Sequence, residues 1–142
     1  GESLLPSLKD ECTRLGISDY VTFTGLVESF QVKQFLAECS ILAITRPSNV
    51  QTKAGFPTKL GEYFATGKPV LSTDFGDMKK YFRDGMEVIL AECGNIRSIA
   101  EKIRWMLNNQ DVLSEISNRG YQRAKELLEF SNSVKRIANR LE

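Results

Sequence analysis

Histidine does not occur in the 142 residues of this chain. Its absence removes Ser-His-Asp and Cys-His catalysis, imidazole metal sites and imidazole acid–base chemistry together. Cysteine is scarce: Cys12, Cys39 and Cys93 are odd in number and far apart. They fit neither a CxxC nor a zinc spacing, and the expectation is buried free thiols in a reducing compartment. No apolar run approaches the roughly 20 residues of a membrane span, and no signal-type segment precedes the first helical pattern. Charge of one sign is missing too, since 19 basic and 18 acidic residues leave a formal +1. There is therefore no electrostatic case for nucleic acid as a partner, and an anionic ligand would have to be held locally. What remains for chemistry is carboxylates, lysines, hydroxyls and backbone amides. At 42% apolar and 26% charged residues, the composition is that of a soluble globular domain with a real core.

The pattern along the chain alternates helices with short apolar strands. Leu4, Leu5, Leu8 and Leu15 recur at roughly helical intervals, and Gly16 ends that run. Val21 to Thr24 alternates and reads as a strand, broken by Gly25. Ser29 is a candidate N-cap for a helix to about Cys39, with Val32, Phe35 and Leu36 on one face. Ile41 to Ile44 is too short for a helix and reads as a strand buried on both faces. Arg46 to Thr52 reads as a loop. Pro57 suits the first turn of a helix running to Thr66 and stopped by Gly67. Pro69 to Thr73 and Val88 to Leu90 read as two more strands, separated by loop and short helix. After Gly94 the pattern is helical throughout, with Ile96, Ile99, Ala100, Ile103 and Leu107 forming an apolar stripe. Helices are expected over Asp111 to Glu129 and Ser131 to Leu141. This order predicts an α/β domain with a largely parallel sheet, whose ligands would sit at the carboxyl ends of the strands.

The chemistry-bearing stretch is Lys53-Ala54-Gly55-Phe56-Pro57-Thr58-Lys59-Leu60-Gly61-Glu62-Tyr63. A glycine admits close backbone approach, and the helix after it would present unpaired N–H groups, a combination suited to a phosphate or diphosphate. Glu62, one turn further on, can accept two hydrogen bonds from vicinal hydroxyls such as those of a ribose. Neither a Walker motif nor a GxGxxG fingerprint is present, which disfavours a P-loop ATPase and a dinucleotide dehydrogenase.

Four pieces in register resemble the C-terminal domain of family 4 (group 1) glycosyltransferases, which have the GT-B fold. They are Val21-Thr22-Phe23-Thr24-Gly25, the strand Ile41 to Thr45 with Pro47-Ser48 behind it, Gly55 to Glu62, and Ala65-Thr66-Gly67-Lys68-Pro69-Val70. The resemblance implies a Rossmann-like parallel sheet flanked by helices, residues 1–142 forming one partial domain with 95–142 as its helical tail. It implies retaining transfer from a nucleotide-diphosphate sugar to a glycan or lipid-linked acceptor, in bacterial polysaccharide biosynthesis in the cytoplasm. No metal or cofactor is implied, the nucleotide sugar being substrate. Carried over by position, Glu62 binds the ribose hydroxyls. The backbone of Gly55, Phe56, Pro57, Thr58, Lys59 and Leu60 meets the donor sugar and diphosphate, and Gly25 and Leu26 lie beside the base. No catalytic residue is assigned.

Two departures stand out. The family often carries a pair of acidic residues with seven between them, and Ala54 occupies the first of those positions. The chain also starts at a helix that the family places after two earlier strands. The basic residues that neutralise the diphosphate, and the acceptor domain, would then lie outside it. That reading expects no transfer by the chain alone, and self-association, a rearranged strand order or a further segment to cover exposed strand edges. Two other classes stay open: another GT-B-shaped sugar-nucleotide enzyme (an epimerase or inverting transferase), or a non-catalytic interaction domain. Trp105 and Met106 read as packing residues. Lys79-Lys80 and Lys135, Arg136 and Arg140 are interspersed with acids and read as a solvated face, peripheral contact with an anionic membrane being the alternative.

Overall fold

The structure, a computed structural model, describes residues 4–47 and 59–128. They fall into two compact units, Gly1–Lys33 and Gln34–Glu142. In the first, helix α1 (Leu5–Arg14) leads into a 3₁₀ turn (Ser18–Tyr20), and helix α2 (Ser29–Glu38) begins there and crosses the boundary. Arg14 pairs with Glu11 one turn back on α1. Neither α1 nor α2 buries a residue fully, and Leu4, Leu8, Leu15 and Phe30 are exposed.

The second unit holds a three-stranded parallel sheet in the order β1 (Leu42–Ile44), β2 (Val70–Thr73), β3 (Ile89–Ala91). Leu42 stands opposite Val70, and Leu71 opposite Ile89. Parallel neighbours need crossovers, because each strand must start again at the same edge. Helix α3 (Lys59–Ala65) supplies the last leg of the first crossover, and helix α4 (Met78–Tyr81) lies in the second. Thr66 and Gly67 close α3, with Gly67 at φ 68°, a conformation that costs a residue without Cβ nothing. Helices α5 (Ile96–Asn108) and α6 (Gln110–Leu128) complete the described chain. Asn95 caps α5, its side-chain oxygen accepting from the Ser98 amide at 3.0 Å.

Strand alternation divides the core in two. Ile44, Val70 and Leu90 pack with Leu60, Phe64, Met78, Phe82 and Ala124. Leu71, Ile89 and Ala91 pack with Met106, Leu113 and Ile116. Helix α6 contributes to both clusters, which explains its length. The Phe64 and Phe82 rings stack with centroids 4.6 Å apart, tying α3 to the segment after α4. Gly120 lies within α6 where the helix passes this stack. A Cβ there would lie 3.0 Å from two Phe64 ring atoms and deep inside contact distance of the Glu87 carbonyl oxygen.

Glu87 is 5% exposed and held from several directions. The Arg83 amide donates to its carboxylate at 2.8 Å, and the Arg83 guanidinium to its other oxygen at 2.5 Å. Burial pushes this carboxyl up, but the Arg83 hydrogen bonds and the charges of Arg83 and Arg123 outweigh it and hold the group below the usual carboxylate range. Arg119 and Arg123 also donate to the main-chain carbonyls of Met86 and Tyr81, fastening α6 to the same segment. Lys79 pairs with Asp74 and Lys80 with Asp77, so this surface is charge-balanced.

Several sequence-based expectations are corrected. Val21 to Thr24 is extended at Val21 and alternates in exposure, but it is no strand, because no described neighbour offers it a ladder. The described strands keep sequential order, so a rearrangement does not occur among them. The stripe on α5 is not the buried face as read. Ile96 is 83% and Leu107 54% exposed, while Met106 is fully buried and Ile99 packs beside it. The cysteines are free thiols but partly exposed rather than buried. The expected helix over Ser131 to Leu141 lies outside the described residues, as does Pro57.

Two predictions follow from this packing. Gly120→Ala lowers stability by about 1–3 kcal/mol through overpacking, although alanine is intrinsically better in a helix by about 1 kcal/mol; a raised midpoint in denaturant unfolding would contradict the account. The lowered carboxyl of Glu87 contributes stability that is complete at neutral pH. It is lost as pH falls below the unfolded carboxylate value of about 4.3 towards the folded one. Glu87→Gln should flatten that acid limb of the pH–stability curve, and an unchanged limb would show that the pair does not generate it.

Candidate functional site at the carboxyl edge of the sheet

Helix α3 sets the direction of its side chains by what it buries. Leu60 is 0% and Phe64 1% exposed, four residues apart on one face. Residue 62 lies about 200° around the helix from each of them, so the packing turns Glu62 to solvent. Glu62 is exposed, on the first turn of α3, and makes no hydrogen bond or ion pair with any described residue. Lys59 is exposed on the same turn. Tyr63 is half-buried against the core, and burial, then the Cys39 thiol and the Glu62 carboxylate, push its phenol up. The crossover from β1 returns the chain to the amino edge at Pro69, whose carbonyl accepts from the Leu42 amide at 2.9 Å. The start of α3 thus faces the carboxyl-edge end of its path.

That edge is tied together by one buried hydroxyl. Thr73, 1% exposed at the end of β2, donates to the Arg46 carbonyl at 2.8 Å and accepts from the Arg46 amide at 2.9 Å. Cys93, just beyond β3, donates through Sγ to the Asp74 carbonyl at 3.0 Å and to the Arg46 carbonyl at 3.5 Å. The Asp74 amide in turn donates to the Ala91 carbonyl at 2.8 Å. The residues leaving all three strands therefore share one hydrogen-bonded network.

Of the residues picked out in the sequence, Lys59, Leu60 and Glu62 come together on α3. The Leu60 side chain is core, so only its backbone is open to a ligand. Gly55, Phe56, Pro57 and Thr58, with Ala54, lie outside the described residues. Gly25 has φ 65° and Leu26 is fully exposed, both within the Gly1–Lys33 unit. Sequence reasoning passed over Thr73 and Arg46. The one signal was a β-branched hydroxyl residue closing a strand otherwise built of buried side chains. At the opposite, amino edge a cavity of about 290 Å³ is lined by Ser40, Lys68, Pro69, Gln110 and Ser117, among others. Among the described residues no three carboxylates or thiols are grouped to hold a metal, and no helix is long and apolar enough to cross a membrane.

The family described as glycosyl transferases group 1 matches residues 1–123. The chain belongs to that family. A relative, an uncharacterized glycosyltransferase of Methanocaldococcus jannaschii, is 30% identical over 107 residues. That alignment takes in 75% of this chain and 29% of the relative. Among solved structures, HepE of Anabaena in complex with UDP and glucose superposes with a TM-score of 0.81 at 22% identity, over 96% of this chain and 36% of HepE. The C-terminal domain of the group 1 glycosyl transferase LpcC from Francisella tularensis superposes with a TM-score of 0.76 at 17% identity, over 89% of this chain and 63% of that one. The group 1 chain therefore has the fold of the C-terminal half of GT-B enzymes, and it spans about a third of the length of the Methanocaldococcus relative and of HepE.

Proposed function

We propose that this group 1 domain binds the donor of a retaining glycosyltransferase, a nucleotide-diphosphate sugar, at the carboxyl edge of its sheet. In this reading Glu62 accepts hydrogen bonds from both ribose hydroxyls. The Gly55–Leu60 backbone meets the diphosphate and the donor sugar, with Lys59 adding a positive charge. A second domain supplies the acceptor, a glycan or a lipid-linked sugar, and the pathway is the assembly of a bacterial polysaccharide. The enzyme works in the cytoplasm, peripheral to the membrane where its acceptor is lipid-linked.

One observation carries the proposal: Glu62 is turned outward at the sheet edge where open α/β folds take ligands, and it has no described partner to neutralise it. On the first turn of α3 this carboxylate complements the positive end of the helix dipole and stands open to a ligand. A ribose diol has the chemistry to occupy it, offering two donors to two acceptor oxygens. HepE, with the same fold, was solved with UDP and glucose, which supports the same class of ligand for this chain.

The test is calorimetric titration of the full-length protein with UDP-, GDP-, ADP- and TDP-glucose. Glu62→Ala should weaken the nucleotide sugar that binds by tenfold or more, since each charge-assisted hydrogen bond is worth about 1.5–3 kcal/mol. An unchanged affinity would sink the ribose role. Binding of none of the four would favour an interaction domain that retains only the fold.

A further inference from the structure

We propose that the cavity at the amino edge of the sheet is a binding site for a small organic carboxylate, held by the Lys68 ammonium. This site lies at the opposite end of the strands from the proposed donor site and does not depend on it. The cavity measures about 290 Å³ and is bounded by the starts of β1 and β2, the end of α5 and the first turns of α6. All of its lining residues belong to the Gln34–Glu142 unit. A cavity of about 150 Å³ suffices for a benzene ring, so there is room here for a ring-sized body and a carboxylate. Ordinary ligand clefts run from about 300 to 1,000 Å³, so the guest is small.

Lys68 decides the charge of the ligand. Four basic residues among the described ones are half-buried: Lys68, Lys102, Arg119 and Arg123. Lys102 pairs with Asp84, Arg119 with Glu115 and Arg123 with Glu126. Lys68 has no ion pair with any described residue, and no acidic residue lines the cavity in which it stands. A cation drawn partly out of water gains more from an anion than one in bulk solvent does. The backbone of Lys68 is set before any ligand arrives. Its amide donates to the Thr66 hydroxyl at 3.1 Å, and that hydroxyl donates to the Tyr63 carbonyl at 2.6 Å. The carbonyl of Pro69 accepts from the Leu42 amide at 2.9 Å, and the proline ring steers Lys68 towards extended conformations.

A second wall is one face of α6. Gln110, Leu113, Ser114 and Ser117 stand at i, i+3, i+4 and i+7, the spacing that aligns side chains along one side of a helix. Leu113 continues into the core beside Met106, which gives the cavity an apolar base. Gln110, Ser114 and Ser40 add an amide and two hydroxyls able to donate to an oxyanion. The Ser117 hydroxyl is committed, donating to the Leu113 carbonyl at 2.6 Å, and has only lone pairs left for a guest. One ammonium among neutral donors matches a carboxylate, with its single negative charge. A phosphomonoester carries about −1.5 to −2 at neutral pH, more than this lining neutralises.

The experiment titrates the full-length protein, labelled at its methionine methyls, with benzoate, its neutral isostere benzamide, and phenyl phosphate. Met106 lies in the cavity wall and Met78 in the other core cluster, so the first methyl reports on the site and the second is the control. Benzoate is expected to shift the Met106 resonance, leave Met78 in place, and bind about tenfold or more tightly than benzamide, a size set by one charge-assisted hydrogen bond. Lys68→Met keeps the stem without the charge and should reduce benzoate to the level of benzamide. Ser114→Phe fills the groove from an exposed position and should abolish the shift. Lys80→Met, outside the cavity, should change neither. No Met106 shift at about 10 mM benzoate would overturn the proposal, as would equal binding by wild type and Lys68→Met. Equal weakening in Lys80→Met would overturn it too, showing general charge attraction only. Tighter binding of phenyl phosphate than of benzoate would overturn the carboxylate assignment.

Discussion

The outward face of α3 depends on an inward constraint. Phe64 is pressed between the Phe82 ring and the backbone of α6 at Gly120, and Leu60 follows it into the core one turn earlier. With those two side chains committed, helical geometry leaves Glu62 only the solvent side. The close approach at Gly120 makes the arrangement possible. A larger residue would hold α6 away from Phe64 and the Glu87 carbonyl and loosen the seat of α3 on the sheet. A buried glycine on another helix, 58 residues along the chain from Glu62 (120 − 62), thus governs where the candidate carboxylate stands.

The same economy appears at the strand ends. Parallel sheets leave ligands a crevice at their carboxyl edge, but the loops there must be held by something other than the ladder. Thr73 and Cys93 hold them here, using a hydroxyl and a thiol that the core has already ordered. The buried carboxylate of Glu87 fastens the segment before β3 in a similar way, through Arg83, while Arg119 and Arg123 bind α6 to it. Polar groups in this unit are thus spent on joining segments to the sheet, and the described residues leave no buried side-chain polar atom without a partner.

Much of this was legible in the sequence where one physical requirement dominated. Ile41 to Ile44 and Pro69 to Thr73 are recognisable as strands from their short apolar runs, but burial on both faces holds only for β2, since Ala43 of β1 is exposed between the buried Leu42 and Ile44. Glu62 stands out in the sequence as a donor-site candidate because its register with Gly55 and Pro57 resembles a family motif. Other features depend on neighbours that a one-dimensional pattern does not contain. Val21 to Thr24 has the alternation of a strand but no described partner. The stripe on α5 marks an apolar face, yet only Ile99 and Met106 meet the sheet layer, leaving Ile96 and Leu107 exposed. Gly120 carries no local signal at all, since its reason is the Phe64 ring and a carbonyl 33 residues away. The paired main-chain contacts of Thr73 are likewise a property of two strands meeting.

The proposed donor site lies at the carboxyl edge of this group 1 domain, beside the outward carboxylate of α3 and the hydrogen-bonded exit from β1. Backbone NMR of the chain, titrated with the nucleotide sugar it binds, tests this most directly. The account predicts that the amides of Lys59 to Glu62, Thr45, Arg46 and Asp74 shift together and saturate at one dissociation constant. Shifts confined to the opposite edge, at Ser40, Lys68 and Gln110, would contradict it.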